Sequence, residues 1–595
     1  MPTPALHLAP AAVDVEHRGD DLVLRCPHVP DPCVRALGVL LQRWAEHDPK
    51  RVFLAERDGA TWRTLTYGEA WAQVPRLGSA LLARGASPTR PVALLSDNSR
   101  AHALLQLAAM HVGVPAAPIS VAYSQMSTTF DNLRVVLDTL RPAMVFAEDL
   151  PRYAKALAVV PDDVLVVGDG SLERPTTSLA ELREAEPTEA MRQAWAAVGP
   201  DTVGKILFTS GSTGAPKGVV NTQRMMCSNQ EAIATLWPFM RDTPPITVDW
   251  LPWSHTFGSN HNLGLILRNG GTLYIDGGRP APGRIELTAR NLKEISPTVY
   301  FNVPRGYDLL AAQIEQDPAL RRNFFARLDV LFYAAAALPP ATRQRLEALA
   351  AAEGRAVFFA SAWGSTETAP LATSAYFPTT TPAVIGLPAP GVEIKLATVE
   401  GRHELRVRGP NLTPGTWSPG GEITPPQLDE EGFLCTGDAG RLADDAEPTR
   451  GLLFEGRLGE NFKLSTGTWV LVGKLRVALV DACAPWVHDV VLAGHDRDAL
   501  TALLFVAPPP DHATATRQRT QITEALRRWN EAHPASSMAI RRALLQTEPP
   551  SLDAGETTDK GYLNQRRVLE RRAAAVARLY AELVPTAGSE DLLVP

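Results

Sequence analysis

The stretch Ile206 to Val220, ILFTSGSTGAPKGVV, runs from a short apolar segment into a loop holding three glycines, four hydroxyl residues and a lysine. Such a loop suits a polyphosphate. Glycines bring backbone N–H groups close to phosphate oxygens, hydroxyls add donors and the lysine adds charge. The donors here are Thr209, Ser210, Ser212 and Thr213, the glycines Gly211, Gly214 and Gly218, and the cation Lys217. A Walker A loop is excluded, because that pattern needs Gly-Lys-Ser/Thr, whereas Pro216 precedes Lys217 and Gly218 follows it.

Outward from this loop, short apolar runs alternate with amphipathic repeats. Val34, Leu37, Leu41 and Trp44 recur at helical spacing, as do Trp71, Val74, Leu77 and Leu81, and Ala101 to Val112 reads as a further helix. Val92 to Leu95, Met144 to Ala147, Val164 to Val167 and Ile206 to Phe208 are too short for helices and read as strands buried on both faces. The alternation predicts an α/β fold with a large N-terminal domain of largely parallel sheets and helices. Residues 1 to 32 are proline-rich and predict an irregular surface lead-in. From about Gly459, Val490 to Ala493 and Leu500 to Val506 resemble strands, and Gln518 to Ala532 and Leu563 to Leu583 read as helices. A small mobile α+β domain over 459–595 is therefore expected beside a large one over 1–458.

Composition narrows the function. The 595 residues carry 58 basic and 65 acidic side chains, a net charge of −7 that offers no footprint for nucleic acid. Five scattered cysteines without a CxxC predict neither a disulfide framework nor a zinc knuckle. No apolar run of membrane-spanning length occurs and the N-terminus lacks signal-peptide character, so a cytoplasmic chain is expected.

The ten residues Thr209 to Gly218 match T-S-G-S-T-G-x-P-K-G, the signature of the adenylate-forming enzymes, which include acyl- and aryl-CoA synthetases, luciferases and nonribosomal-peptide adenylation domains. The chain resembles that superfamily over most of its length. WGSTE, Trp363 to Glu367, resembles its aromatic-G-x-T-E motif, implying that Thr366 contacts phosphate, Glu367 holds Mg²⁺ and Trp363 lies beside adenine. CTGD resembles the motif whose aspartate, here Asp438, accepts from ribose hydroxyls, and GRLGENFK resembles the segment whose arginine, here Arg457, reaches the ribose. The chain departs from that segment at Gly459, where the usual hinge residue is aspartate or lysine, and at Glu460. In ETTDKGYLNQR, Glu556 to Arg566, the resemblance makes Lys560 the catalytic lysine, although alignment on the preceding Gly-Glu places Tyr562 there instead.

The acid pocket follows from the same resemblance. TVDWLPWSHTFGSN, Thr247 to Asn260, has the apolar-Pro-x-x-His pattern that makes His255 the gate, with His261 as a rival. The continuation through HNLGLILRNGG, YFNVPRGYDLL and FYAAAALP looks most like the feruloyl-CoA synthetase group. A flat phenylpropenoid acid needs an apolar slot. Phe257 and Tyr333 are expected to supply its faces, while the small residues Ala334 to Ala337, Ala335 among them, leave room or simply pack tightly. The resemblance implies ATP, Mg²⁺ and coenzyme A, with a carboxylic acid as partner. Ligation of a hydroxycinnamic acid such as ferulate to CoA is expected. Other aryl or fatty acids, transfer to a carrier protein, and an inactive nucleotide-binding relative are the alternatives.

Overall fold

The computed structural model describes residues 6–210, 215–281, 283–379, 381, 383–399, 401–558, 563–581 and 591–595. A nine-stranded sheet carries the phosphate loop. Its strands Ala116–Pro118, Val92–Leu94, Met144–Asp149 and Leu165–Asp169 run parallel, and Val203–Ser210 joins them beside Ala116. The strand Pro216–Thr222 then returns antiparallel.

The helix Arg100–His111 is buried from Ala101 to His111, on every face. It packs against this sheet, against the helix Tyr67–Ala83, and against Val52–Asp58 of a four-stranded sheet. A helix buried on every face belongs in such a sandwich, here with His102, Gln106 and His111 among its buried residues. Helix Tyr67–Ala83 starts on a capping box in which Thr66 and Glu69 satisfy each other's backbone donors.

The third sheet of the large domain has eleven strands, and its parallel pairing is confined to Val299–Asn302, Val330–Tyr333 and Phe358–Gly364. Its other neighbours are antiparallel, so the expectation of largely parallel sheets holds for the nine-stranded sheet, for the four-stranded sheet, where Ile246–Asp249, Thr272–Ile275 and Val52–Asp58 run parallel, and for this corner of the larger one. The cause is local. Residues 384 to 457 connect through turns without crossover helices, which can join only antiparallel neighbours. The proline-rich lead-in also differs from expectation: Asp14–Arg18 and Asp21–Arg25 form a hairpin that pairs with Glu393–Val399 at the sheet edge.

The strand Leu452–Arg457 is the last of the large sheet, and a separate core begins at Phe462. There the strands Val487–Ala493, Leu500–Val506, Ile540–Gln546 and Leu592–Leu593 form a sheet, with helix His512–Ala532 as its crossover. The helical stretch expected over Leu563 to Leu583 is two helices, Gln565–Arg571 and Ala573–Tyr580, interrupted at Arg572. Arg572 is buried and its Nε donates to Glu556 Oε1 at 2.7 Å; Glu556 also takes Arg571 Nη1 at 2.6 Å. Among the described residues no helix is long and apolar enough to cross a membrane.

Candidate active site

The phosphate-loop motif sits on a hairpin. Thr209 pairs with Lys217 and Ser210 with Pro216 across its two strands, while Gly211, Ser212, Thr213 and Gly214 lie outside the described residues. Lys217 is exposed. Gly218 has a packing reason: a Cβ there would lie 2.8 Å from Ile206 Cγ2.

The short helical turn Thr366–Thr368 docks beside this hairpin. Asn221 Nδ2, on the returning strand, donates to Thr366 O at 3.4 Å; Thr413 donates its N–H to Glu367 O at 2.9 Å and its hydroxyl to Val220 O at 2.7 Å. Gly364 of the motif permits the approach, since a Cβ would fall 1.7 Å from Pro370 O. Thr366 is buried and Glu367 half-buried. Among the described residues no cluster of three metal-binding side chains occurs. A single carboxylate completed by substrate phosphates is nevertheless a usual Mg²⁺ arrangement, and Glu367 has that chemistry.

Trp363, Asp438 and Arg457 come together. Asp438 and Arg457 are cross-strand partners, and Trp363 Nε1 donates to Asp438 Oδ2 at 2.9 Å. The turn through Gly437, at φ +72°, carries Asp438 N–H to Thr436 Oγ1 at 3.1 Å. Burial raises the Asp438 carboxyl, opposed by the Arg457 guanidinium and the indole N–H. Its Oδ1 is buried and makes no hydrogen bond, with Arg457 Nε 3.4 Å away. A buried carboxylate oxygen without a donor costs stability. A ribose hydroxyl would supply the donor, so these residues fit a nucleoside.

On the other flank of the hairpin lies a π-helical turn, Phe257–Leu263. Such turns recur at functional sites. His255 precedes it, half-buried, its Nδ1 accepting the Phe257 N–H at 3.3 Å. Phe257 packs on Phe332 and Phe301 at centroid distances of 5.6 and 6.5 Å. Tyr333 is not brought to Phe257: it belongs to a different core cluster with Tyr300 and Leu331, because successive strand residues face opposite sides. Phe332 takes the place expected of Tyr333. Ala335 lies in the loop beyond, exposed and at φ +73°. The rival His261 is 1% exposed and stacks on Phe332 at 4.8 Å.

Sequence reasoning missed Lys205. This lysine of the first hairpin strand is 1% exposed; Nζ donates to Ser259 Oγ at 2.7 Å and to Asn260 Oδ1 at 3.1 Å, both in the π-helical turn. Burial draws its pKa down to about 7. Asn260 Nδ2 in turn donates to Asn221 Oδ1 at 2.7 Å. A polar chain thus ties the π-helical turn to the hairpin and on to Thr366. Its sequence signal is a lysine directly before the apolar run Ile206 to Phe208.

Lys560, with Tyr562, lies outside the described residues. The chain before it is fixed, through Glu556 as above and through Asp553, which reaches the large domain. Asp553 accepts from Ser127 Oγ at 2.6 Å, Thr128 N at 3.0 Å and Thr128 Oγ1 at 2.8 Å. Gly459 occupies the turn Leu458–Glu460 between the two cores, with open space where a side chain would stand.

Residues 462–584 match the AMP-binding enzyme C-terminal domain. A carboxylic acid reductase of Mycobacterium tuberculosis is 25% identical over 89% of this chain and 47% of its own length, so the chain spans about half the length of such relatives. A 3-hydroxybenzoate–CoA ligase of Aromatoleum sp. is 25% identical over 78% of this chain and 85% of its own. The adenylation domain of a carboxylate reductase from Mycobacterium chelonae shares the fold, with a TM-score of 0.71 at 21% identity, over 93% of this chain and 94% of that one. Residues 41–417, more than half of the chain, match the AMP-binding enzyme family, and the protein belongs to that adenylate-forming superfamily.

Proposed function

We propose that the protein ligates an aromatic acid of the hydroxycinnamate class, such as ferulate, to coenzyme A through an acyl-adenylate. The observation that carries the adenylation half is the buried Asp438 Oδ1 that no donor meets, with Trp363 on Oδ2 and Arg457 beside it. In the first step a carboxylate oxygen attacks the α-phosphorus of ATP and pyrophosphate leaves. In the second, the thiol sulfur attacks the acyl carbonyl and AMP leaves.

Each residue is assigned a task on this reading. Asp438 and Arg457 hold the ribose, and Trp363 offers its ring to adenine. Thr209, Ser210, Gly211, Ser212, Thr213, Gly214, Lys217 and Thr366 meet the phosphates. Glu367 would hold Mg²⁺, which supplies charge neutralisation at the phosphates. Lys560, from the small domain over 459–595, adds a cation as charge develops. His255 gates the acid, whose ring lies toward Phe257 with Ala335 at the rim.

The similarity to carboxylic acid reductases favours a second reading, transfer of the acyl group to a carrier's phosphopantetheine arm. One experiment separates them. Pyrophosphate release is measured over hydroxycinnamic, benzoic and fatty acids, with and without CoA. Hydroxycinnamates should be used better than palmitate, by about tenfold, a difference of ~1.4 kcal/mol that a few contacts supply. Thioester should form only with CoA present. Equal or better use of palmitate overturns the acid class, and adenylate formation without any CoA thioester favours the carrier reading.

A further inference from the structure

Asp249, Asn262 and His261 form a hydrogen-bond chain: burial raises the Asp249 carboxyl to about 7, and the Asn262 and Leu251 N–H groups it accepts favour the carboxylate that sets the chain's direction. Asp249 closes the strand Ile246–Asp249 and is 1% exposed; its Oδ1 accepts the Leu251 N–H at 3.0 Å. Its Oδ2 takes Asn262 Nδ2 at 2.9 Å. An amide that gives its N–H to a carboxylate turns its carbonyl the other way, and Asn262 Oδ1 lies 2.9 Å from His261 Nδ1. A carbonyl oxygen only accepts. Nδ1 therefore carries the imidazole proton and Nε2 keeps a lone pair.

That lone pair has an unusual setting. The imidazole lies among three hydrocarbon rings, stacked on Phe332 at 4.8 Å and edge-on to Phe301 and Phe257 at 5.5 and 5.7 Å. Burial keeps it neutral, with a pKa drawn down to about 4. Among the described residues nothing donates to Nε2. The ring shares its π-helical turn with Phe257, next to His255, and through Asn260 and Asn221 that turn is tied to the nucleotide motifs. An aromatic wall with one fixed acceptor is matched by an aromatic ring bearing one donor.

We infer that His261 Nε2 accepts a hydrogen bond from a hydroxyl on the ring of the acid, which makes His261 a specificity-determining residue selecting phenolic acids over unsubstituted or O-methylated ones. This rests on the acid site proposed above. An unsubstituted ring leaves the acceptor unpaired on desolvation, and a methoxy oxygen sets two acceptors against each other.

The test compares kcat/KM in pyrophosphate release for p-coumarate, m-coumarate, cinnamate and 4-methoxycinnamate, in the wild type, His261→Phe and His261→Gln. The wild type should prefer at least one coumarate to both donor-free acids by about tenfold or more. His261→Phe, which keeps a ring but has no lone pair, should bring the ratio within about threefold, and His261→Gln, which retains an acceptor, should recover part of it. A purely structural role would lower all four acids together and leave the ratio in place, overturning the inference. Equal use of all four by the wild type overturns it too, even if neither variant folds, while the aromatic-acid reading stands. Release with fatty acids but with none of these four removes the aromatic reading, and this inference with it.

Discussion

The two flanks of the hairpin Val203–Thr222 solve their problems differently. On the nucleotide flank, Trp363, Asp438 and Arg457 are partly open polar groups, each set in a short motif whose glycines and turns fix its geometry locally. On the acid flank, Lys205, Asn260, Asp249 and His261 are buried polar groups within apolar packing that no short motif marks, although their hydrogen-bond partners lie no farther along the chain than Trp363 lies from Asp438. A phosphate or ribose presents the same atoms to every relative, so local strings suffice. Both flanks are assembled from distant segments, but the polar groups of the acid flank acquire meaning only from their neighbours.

The contrast breaks first at Lys560. Lys560→Ala should lower pyrophosphate release by about 10² to 10³, the usual loss on removing a preorganised donor from developing charge, while conversion of a supplied acyl-adenylate to thioester stays near the parent rate. Full retention of adenylation would move the catalytic cation to Arg566 or Arg567, or to Lys463 or Lys474. Next, Asp438→Ala should raise KM for ATP by about tenfold to a hundredfold, as expected for one or two charge-assisted hydrogen bonds, with KM for the acid nearly unchanged. A rise confined to the acid would erase the distinction between flanks.

Lys205 sharpens the comparison through pH. Its folded pKa, about 7, lies below the unfolded value near 10.5, so between these the unfolded chain binds more protons and stability rises with pH. Lys205→Met removes that term. The melting temperature of the wild type should gain on the variant from pH 7 to 9.5, by the equivalent of about 1 kcal/mol or more; a constant difference would mean the lysine is charged throughout. The smallest effect is at Ala335, whose φ of +73° is costly for a residue with a Cβ. Ala335→Gly should stabilise by about 0.5 kcal/mol, the relief being partly offset by chain entropy, as read from the melting temperature.

Legibility in the sequence followed this division. The strand Leu500–Val506, and the strands Val92–Leu94 and Met144–Asp149 to within two residues of their ends, were readable because buried parallel strands are continuous apolar runs. The N-terminal hairpin was not, since flanking prolines masked a strand pair that completes its hydrogen bonds only on Glu393–Val399. The break at Arg572 was invisible because its cause is Glu556, sixteen residues back. Trp363, Asp438 and Arg457, which the fold brings together, each carried a readable motif. Lys205 and the direction of the Asp249 chain carried none, because donor and acceptor roles are properties of pairs, and the packing of Phe332 rather than Tyr333 on Phe257 turns on one step of strand alternation.

Asp553 joins the domains through two hydroxyls and a backbone amide rather than through a cation. Such a clasp has no partner charge for dissolved ions to screen. If the small domain swings between half-reactions, the traffic across this contact is governed by how readily water replaces three neutral donors, and the turnover of the enzyme should respond to osmolytes and solvent activity more than to ionic strength.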